Sequence, residues 1–174
     1  MKNLAINKGF TVIELLVTLS VVGTLLAVAA PSYREFVQES RIAAQNNSFL
    51  SSIMLTKSEA IKRNSSVTIC PSTSGTACTG GVVWSNGWIV FADANSDGVV
   101  DAGEEIIQVG AAFPGGSTLQ TGPGDLRVTF AANGFSMGFN STFSLCDSRG
   151  AAHSRALILS NQGRMRTEKG TATC

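Results

Sequence analysis

The 174-residue sequence is poor in the residues that carry most enzyme chemistry: it has a single histidine, His153, and a single tyrosine. His153 stands next to Ser154 with no acidic residue at a spacing that would complete a catalytic arrangement. There is no Cys-x-x-Cys pair, and His153 lies far from any ligand-like spacing, which excludes a zinc site of the usual kinds. Charge of one sign is missing locally. Residues 93–125 contain no Lys or Arg but hold six acidic groups, Asp93, Asp97, Asp101, Glu104, Glu105 and Asp125. From Arg127 onward the balance reverses, with six basic residues against two acidic ones. This asymmetry marks either an anion site or a solvated surface. The formal net charge of +1 points to no particular partner. The reading is therefore of a structural or binding protein and not an enzyme.

What the sequence does have is one long apolar run. Residues 10–30 contain a single charge, Glu14, and are long enough to span about 30 Å of hydrocarbon as a helix. Lys2 and Lys8 precede it, so the positive-inside rule keeps the N-terminus cytoplasmic and sends everything after Pro31 across the membrane. A conventional signal sequence would be cut after the apolar run, where Val28-Ala29-Ala30 could serve. Glu14 argues against it: a carboxylate in lipid is costly and needs a named partner.

Beyond Pro31, which is expected to interrupt or kink the helix, Tyr33, Phe36, Val37, Ala43, Ala44, Leu50, Ile53, Met54 and Ile61 recur at three- and four-residue steps. The spacing predicts an amphipathic helix to about Asn64. If continuous, residues 10–64 would extend roughly 80 Å. Residues 65–174 read as β-rich. Strands are expected at 67–70, 82–84, 88–91, 105–109, 126–130, 139–145, 155–160 and 164–167. Ser85-Asn86-Gly87 reads as a hairpin turn between the second and third of these. The expected architecture is α+β, one long N-terminal helix packed on antiparallel sheet.

All four cysteines lie in the later part of the chain, and in an exported domain an even count favours two disulfides with three possible pairings. The preferred pairing is Cys70–Cys78, closing a short Pro- and Gly-containing loop, with Cys146–Cys174 tying down the C-terminus. Four buried free thiols are the alternative.

Gly9-Phe10-Thr11-Val12-Ile13-Glu14-Leu15-Leu16, followed later by Pro31, resembles the signature of type IV pilins and type II secretion pseudopilins. Trp84-Ser-Asn-Gly-Trp88-Ile-Val-Phe-Ala-Asp93, Asp97-Gly98 and Leu159-Ser-Asn-Gln-Gly-Arg-Met-Arg166 resemble the branch that contains the minor pilins FimT and FimU and the pseudopilin GspH. The resemblance implies a leader peptide at 1–9, cleaved between Gly9 and Phe10 by a prepilin peptidase, and N-methylation of Phe10. It implies that Glu14 pairs with the Phe10 amine of a neighbouring subunit. A hydrophobic membrane and filament-core helix would occupy 10–31, an amphipathic helix 32–64 and a β-rich periplasmic domain 65–174. The precursor would cross the inner membrane once and then join a pilus with other minor and major pilins.

Two constellations bear on function. Asp93-x-Asn95-x-Asp97-Gly98-Val99-x-Asp101-x-x-Glu104 fits the twelve-position calcium loop, with Val99 contributing its carbonyl. An acidic turn between two strands is the alternative. The other is Gly163-Arg164-Met165-Arg166. On a strand, Arg164 and Arg166 share a face, and two guanidiniums suit phosphate. Arg155 and Lys169 could extend the patch. Gly-Arg-x-Arg near the C-terminus looks like the DNA-contacting motif of FimT-type minor pilins, which implies sequence-independent binding through DNA phosphates in natural transformation. Solubilising arginines on an edge strand are the plainer reading. The competing functions are a FimU-like assembly subunit without DNA binding and a type II secretion pseudopilin.

Overall fold

A computed structural model describes residues 9–174; Lys2, Lys8 and most of the expected leader lie outside the described residues. The chain divides into two compact units, one ending at Ser40 and the other comprising Arg41–Cys174. Helix α1, Val12–Arg63, contributes to both.

In the first unit α1 carries an 18-residue stretch of mean hydropathy 2.3 that is long and apolar enough to cross a membrane, with none of it buried. Pro31 lies inside α1 and does not end it, so of the expected interruption or kink the interruption does not occur. Its missing N–H removes one rung of the ladder, and the hydrogen bonds on either side hold the helix together.

The second unit begins with the last turns of α1 and continues through eight strands. These are β1 (Val67–Pro71), β2 (Trp88–Ala92), β3 (Ile106–Gly110), β4 (Thr118–Gln120), β5 (Val128–Phe130), β6 (Thr142–Cys146), β7 (Arg155–Leu159) and β8 (Met165–Lys169). They form two four-stranded antiparallel sheets, β3-β2-β1-β5 and β4-β6-β7-β8, in keeping with the expected α+β architecture. Ile42, Phe49, Ile53 and Ala60 of α1 lie seven or four residues apart, so one helical stripe enters the core. Of the residues expected on it, Ile53 is buried and Leu50 partly so, while Ala44, Met54 and Ile61 are exposed. Phe49 is its centre, with ring centroids 5.5 Å from Trp84, 5.2 Å from Trp88 and 4.9 Å from Phe143.

Strand β1 is buried along its whole length, because both faces of the first sheet are covered. Val67 and Ile69 face the main core, while Cys70, Ile89 and Phe91 form a smaller cluster joined by Cys78, Val100 and Ile106. The loop between β2 and β3, residues 93–105, is thus anchored on the sheet's outer side through Val100. Cys70–Cys78 and Cys146–Cys174 are both disulfide-bonded, in the pairing expected.

The Asn-Gly hairpin does not form. Val82–Trp84 is no strand of the first sheet; Val83 makes an isolated bridge to Gln120, and Trp84 N–H donates to the Leu119 carbonyl at 2.8 Å. Gly87 N–H donates to the Trp84 carbonyl at 3.1 Å, so residues 84–87 turn the chain from one sheet to the other. Burying both Trp84 and Trp88 in the common core outweighs the local hairpin preference. Strand β4 had no sequence expectation: three residues after Pro114-Gly-Gly leave too short a pattern to read.

Candidate functional site

At the N-terminal end, Gly9 and Phe10 precede the helix and are exposed, Phe10 at 88%. Thr11 is the residue before α1, and Glu14 its third residue. Glu14 Oε2 accepts from the Thr11 backbone N–H at 2.9 Å and from its hydroxyl at 2.8 Å, while Glu14 N–H donates to Thr11 Oγ1 at 3.3 Å. This is a capping box, which satisfies helix-start donors that would otherwise stay unpaired. Beside the partner expected in another subunit, Glu14 has Thr11 as a partner within its own chain. Thr-x-x-Glu before an apolar run was the signal available.

The acidic loop is closely knit. Asp93 is fully buried, and its Oδ2 accepts from Thr68 Oγ1 at 2.6 Å and from Gly98 N–H at 3.1 Å. Thr68 spends its one hydroxyl proton on Asp93, so Thr129 donates to Thr68 across 2.6 Å. Asp93 Oδ1 is buried without a hydrogen-bond partner. Asn95 Nδ2 lies 3.0 Å from both Asp97 Oδ2 and Asp101 Oδ2. Glu104 accepts from the Ala94 and Asp101 backbone N–H groups. Val99 is exposed, and its N–H donates to Asp97 Oδ1. Gly98 has φ +78°, and a Cβ there would meet the Arg127 side chain at 2.3 Å. Arg127 Nη1 donates to the Asp97 carbonyl at 2.5 Å, so this arginine belongs to the acidic loop. Among the described residues, no group of three or more Asp, Glu, His or Cys side chains forms a preassembled metal cluster.

The basic end of the chain is built on a tight turn. Gly163 N–H donates to the Ser160 carbonyl at 2.8 Å, and Ser160 N–H to the Arg164 carbonyl at 3.0 Å. Gly163 has φ +67°, and a Cβ would lie 2.3 Å from the Gly134 carbonyl oxygen. Only glycine fits this approach. Lys57 Nζ donates to the Gly163 carbonyl at 2.9 Å, bringing a third basic group from α1 to the turn. Lys57 was missed, because 106 residues separate it from Gly163 and nothing local signals the contact.

Arg164 immediately precedes β8, and Arg166 is its second residue; both are exposed, while Met165 between them is half-buried against the core. Strand β8 is an edge of its sheet. Arg166 Nε pairs with Glu168 at 3.2 Å. Arg155 departs from its expected role: it is 5% exposed, and its guanidinium donates to the His153 and Ser154 carbonyls at 3.1 Å. It supports the chain from inside and is not part of an exposed patch. Gly163 is also buried and acts through shape. Lys169 is exposed opposite Arg155 in the strand register.

Residues 45–163 match the family "Type II transport protein GspH", and residues 5–30 match the "Prokaryotic N-terminal methylation motif". Fimbrial protein EcpC of Eikenella corrodens is 38% identical over 42 residues, which cover 24% of this chain and 28% of that protein. Two crystal structures of the type IV minor pilin FimU of Pseudomonas aeruginosa share the fold. One has a TM-score of 0.63 at 18% identity, covering 80% of this chain and 96% of FimU. The other has a TM-score of 0.55 at 20% identity, covering 78% and 95%. The fold and the N-terminal motif define a subunit of the type IV minor pilin and pseudopilin class. The chain belongs to the type II transport protein GspH family.

Proposed function

We propose that this protein is a minor type IV pilin that contacts DNA phosphates through Arg164 and Arg166 during uptake. The observation that carries the reading is the turn at Gly163, which presents two exposed guanidiniums two residues apart on a sheet edge, with Lys57 Nζ against the same turn. Guanidinium forks grip phosphate bidentately, and an edge strand leaves room for an extended polyanion. The first unit anchors the precursor in the inner membrane with the second unit periplasmic; cleavage between Gly9 and Phe10, methylation of Phe10 and a Glu14 bond to a neighbour's Phe10 amine lead into the filament. Binding is sequence-independent, with Kd on the order of 10⁻⁴–10⁻⁶ M at physiological salt.

The test is a gel shift with duplex DNA. Replacing both arginines by Gln removes binding and leaves the melting temperature unchanged; retained binding discards the assignment. The second reading is a FimU-like subunit that primes assembly without touching DNA. The Arg166–Glu168 ion pair favours it, since a neutralised arginine on an edge suits solubility and strand protection. The family match supports a third, a type II secretion pseudopilin.

A further inference from the structure

We infer that the loop from Asp93 to Glu104 binds a calcium ion, and that the Asn95 side-chain amide is the group that turns to admit it. The twelve-residue spacing supplies oxygen donors at Asp93, Asn95, Asp97, Asp101 and Glu104, with the Val99 carbonyl between. Spacing alone fits an acidic turn equally well. The observation that separates the two is Asp93 Oδ1, an oxygen of a fully buried side chain with no hydrogen-bond partner. Its sister oxygen accepts from Gly98 N–H, so this carboxylate lies against the inside of the loop. A buried carboxylate oxygen left unpaired is costly, and a hard cation is the partner that satisfies it.

The other carboxylates converge as well. Asp97 Oδ2 and Asp101 Oδ2 each lie 3.0 Å from Asn95 Nδ2, so the two oxygens are at most twice that distance apart. A neutral amide holds two like charges together there. Arg127, whose side chain lies against Gly98, gives its Nη bonds to the Asp97 and Ser96 carbonyls and not to either carboxylate, and its Nε is buried without a partner. Rotating the Asn95 amide by half a turn exchanges its nitrogen for its oxygen, which are nearly the same size, and gives up the 3.3 Å bond that Asn95 Oδ1 accepts from Asp97 N–H. Three oxygens then face one point, an arrangement that repels itself unless a cation occupies it. The carboxylates are not preassembled because the amide bridges them, and ion entry replaces its two N–H bonds with metal–oxygen bonds.

The flanks suit a structural ion. Asp93 is fixed to Thr68 of β1 and through it to Thr129 of β5, while Val100 packs on the outer face of the sheet. The ion would pin the long β2–β3 connection to that face. Flanked by strands and coordinated by a mixed set of ligands, it falls in the affinity range of extracellular calcium modules, about 10⁻⁴–10⁻³ M.

The experiment uses the full-length chain in detergent micelles, titrated with CaCl₂ by calorimetry and melted in chelator, in 10 mM Ca²⁺ and in 10 mM Mg²⁺, roughly tenfold or more above the expected Kd. Ca²⁺ binds and raises the melting temperature by about 3–6 °C or more, whereas Mg²⁺ does not. Asp97→Asn with Asp101→Asn removes the Ca²⁺ shift while melting normally in chelator, since both side chains are exposed. Asn95→Asp melts lower in chelator and binds Ca²⁺ more tightly, because it trades the bridging donor for a ligand. No heat and no shift with Ca²⁺, an equal shift with Mg²⁺, or a Ca²⁺ shift that survives the double substitution would each overturn the inference.

Discussion

Lys57 Nζ donates a 2.9 Å hydrogen bond to the Gly163 carbonyl, tying α1 to the turn that presents Arg164 and Arg166. The same turn is closed by Gly163, which packs against the Gly134 carbonyl with no space for a side chain. The basic residues are therefore mounted on a fixed support, which limits the entropy lost when they engage a ligand.

Gly163→Ala should lower stability more than Gly80→Ala. Both glycines have positive φ, +67° and +69°, so both substitutions carry a backbone cost of about 1–2 kcal/mol. Only Gly163 also forces a Cβ against backbone, which adds about 1–3 kcal/mol. Urea denaturation of the two variants measures the difference.

The two disulfides should differ in worth. Cys146–Cys174 spans 28 residues and Cys70–Cys78 spans 8. Loop-closure entropy assigns them about 3.6 and about 2.5 kcal/mol. Paired Cys→Ala variants, unfolded in urea, should fall in that order.

Asp147 should contribute to acid sensitivity. Burial pushes its carboxyl up, but hydrogen bonds from the Arg149 side chain and backbone, with the guanidinium charge, outweigh it and hold the group below the usual carboxylate range. A carboxyl depressed in the folded state adds stability above its unfolded pKa and loses it as pH falls through the folded value. Urea midpoints between about pH 5 and 2 should fall more steeply for the natural protein than for Asp147→Asn, which lacks that titration.

Glu168 should restrain DNA binding. Its carboxylate pairs with Arg166 at 3.2 Å, with side chains 60% and 42% exposed, so the pair itself adds little stability. Glu168→Gln should tighten binding, whereas Arg166→Gln should weaken it and reduce the salt slope by about one. Fluorescence anisotropy across a salt series distinguishes the two.

Much of the fold was legible because its signals are local. The apolar run and β1, β2 and β7 follow from periodicity and strand composition. The core stripe of α1 does not: the spacing picked Ala44, Met54 and Ile61, which are exposed, and passed over Ile42, Phe49 and Ala60, which are buried. Reading Val82–Trp84 as a hairpin arm failed because Ser85-Asn86-Gly87 satisfies a tight turn in more than one context, and the choice was made by two tryptophans meeting Phe49 in the core. In the candidate site, the exposure of Arg164 and Arg166 followed from alternation, but the burial of Arg155 did not. β7 packs against the core on one face and against the C-terminal segment on the other, where Ala172 joins Cys146 and Ala156. Long-range partners such as Lys57 with Gly163 and Thr68 with Asp93 leave no trace in local spacing.

The most direct test of the account is a strain lacking this gene, complemented with the natural sequence or with Arg164→Gln and Arg166→Gln together, and scored for transformation, twitching and secretion. The account predicts that the double variant restores pili and twitching but not transformation. Transformation at the natural level in the double variant, or a strain defective only in secretion, would contradict it.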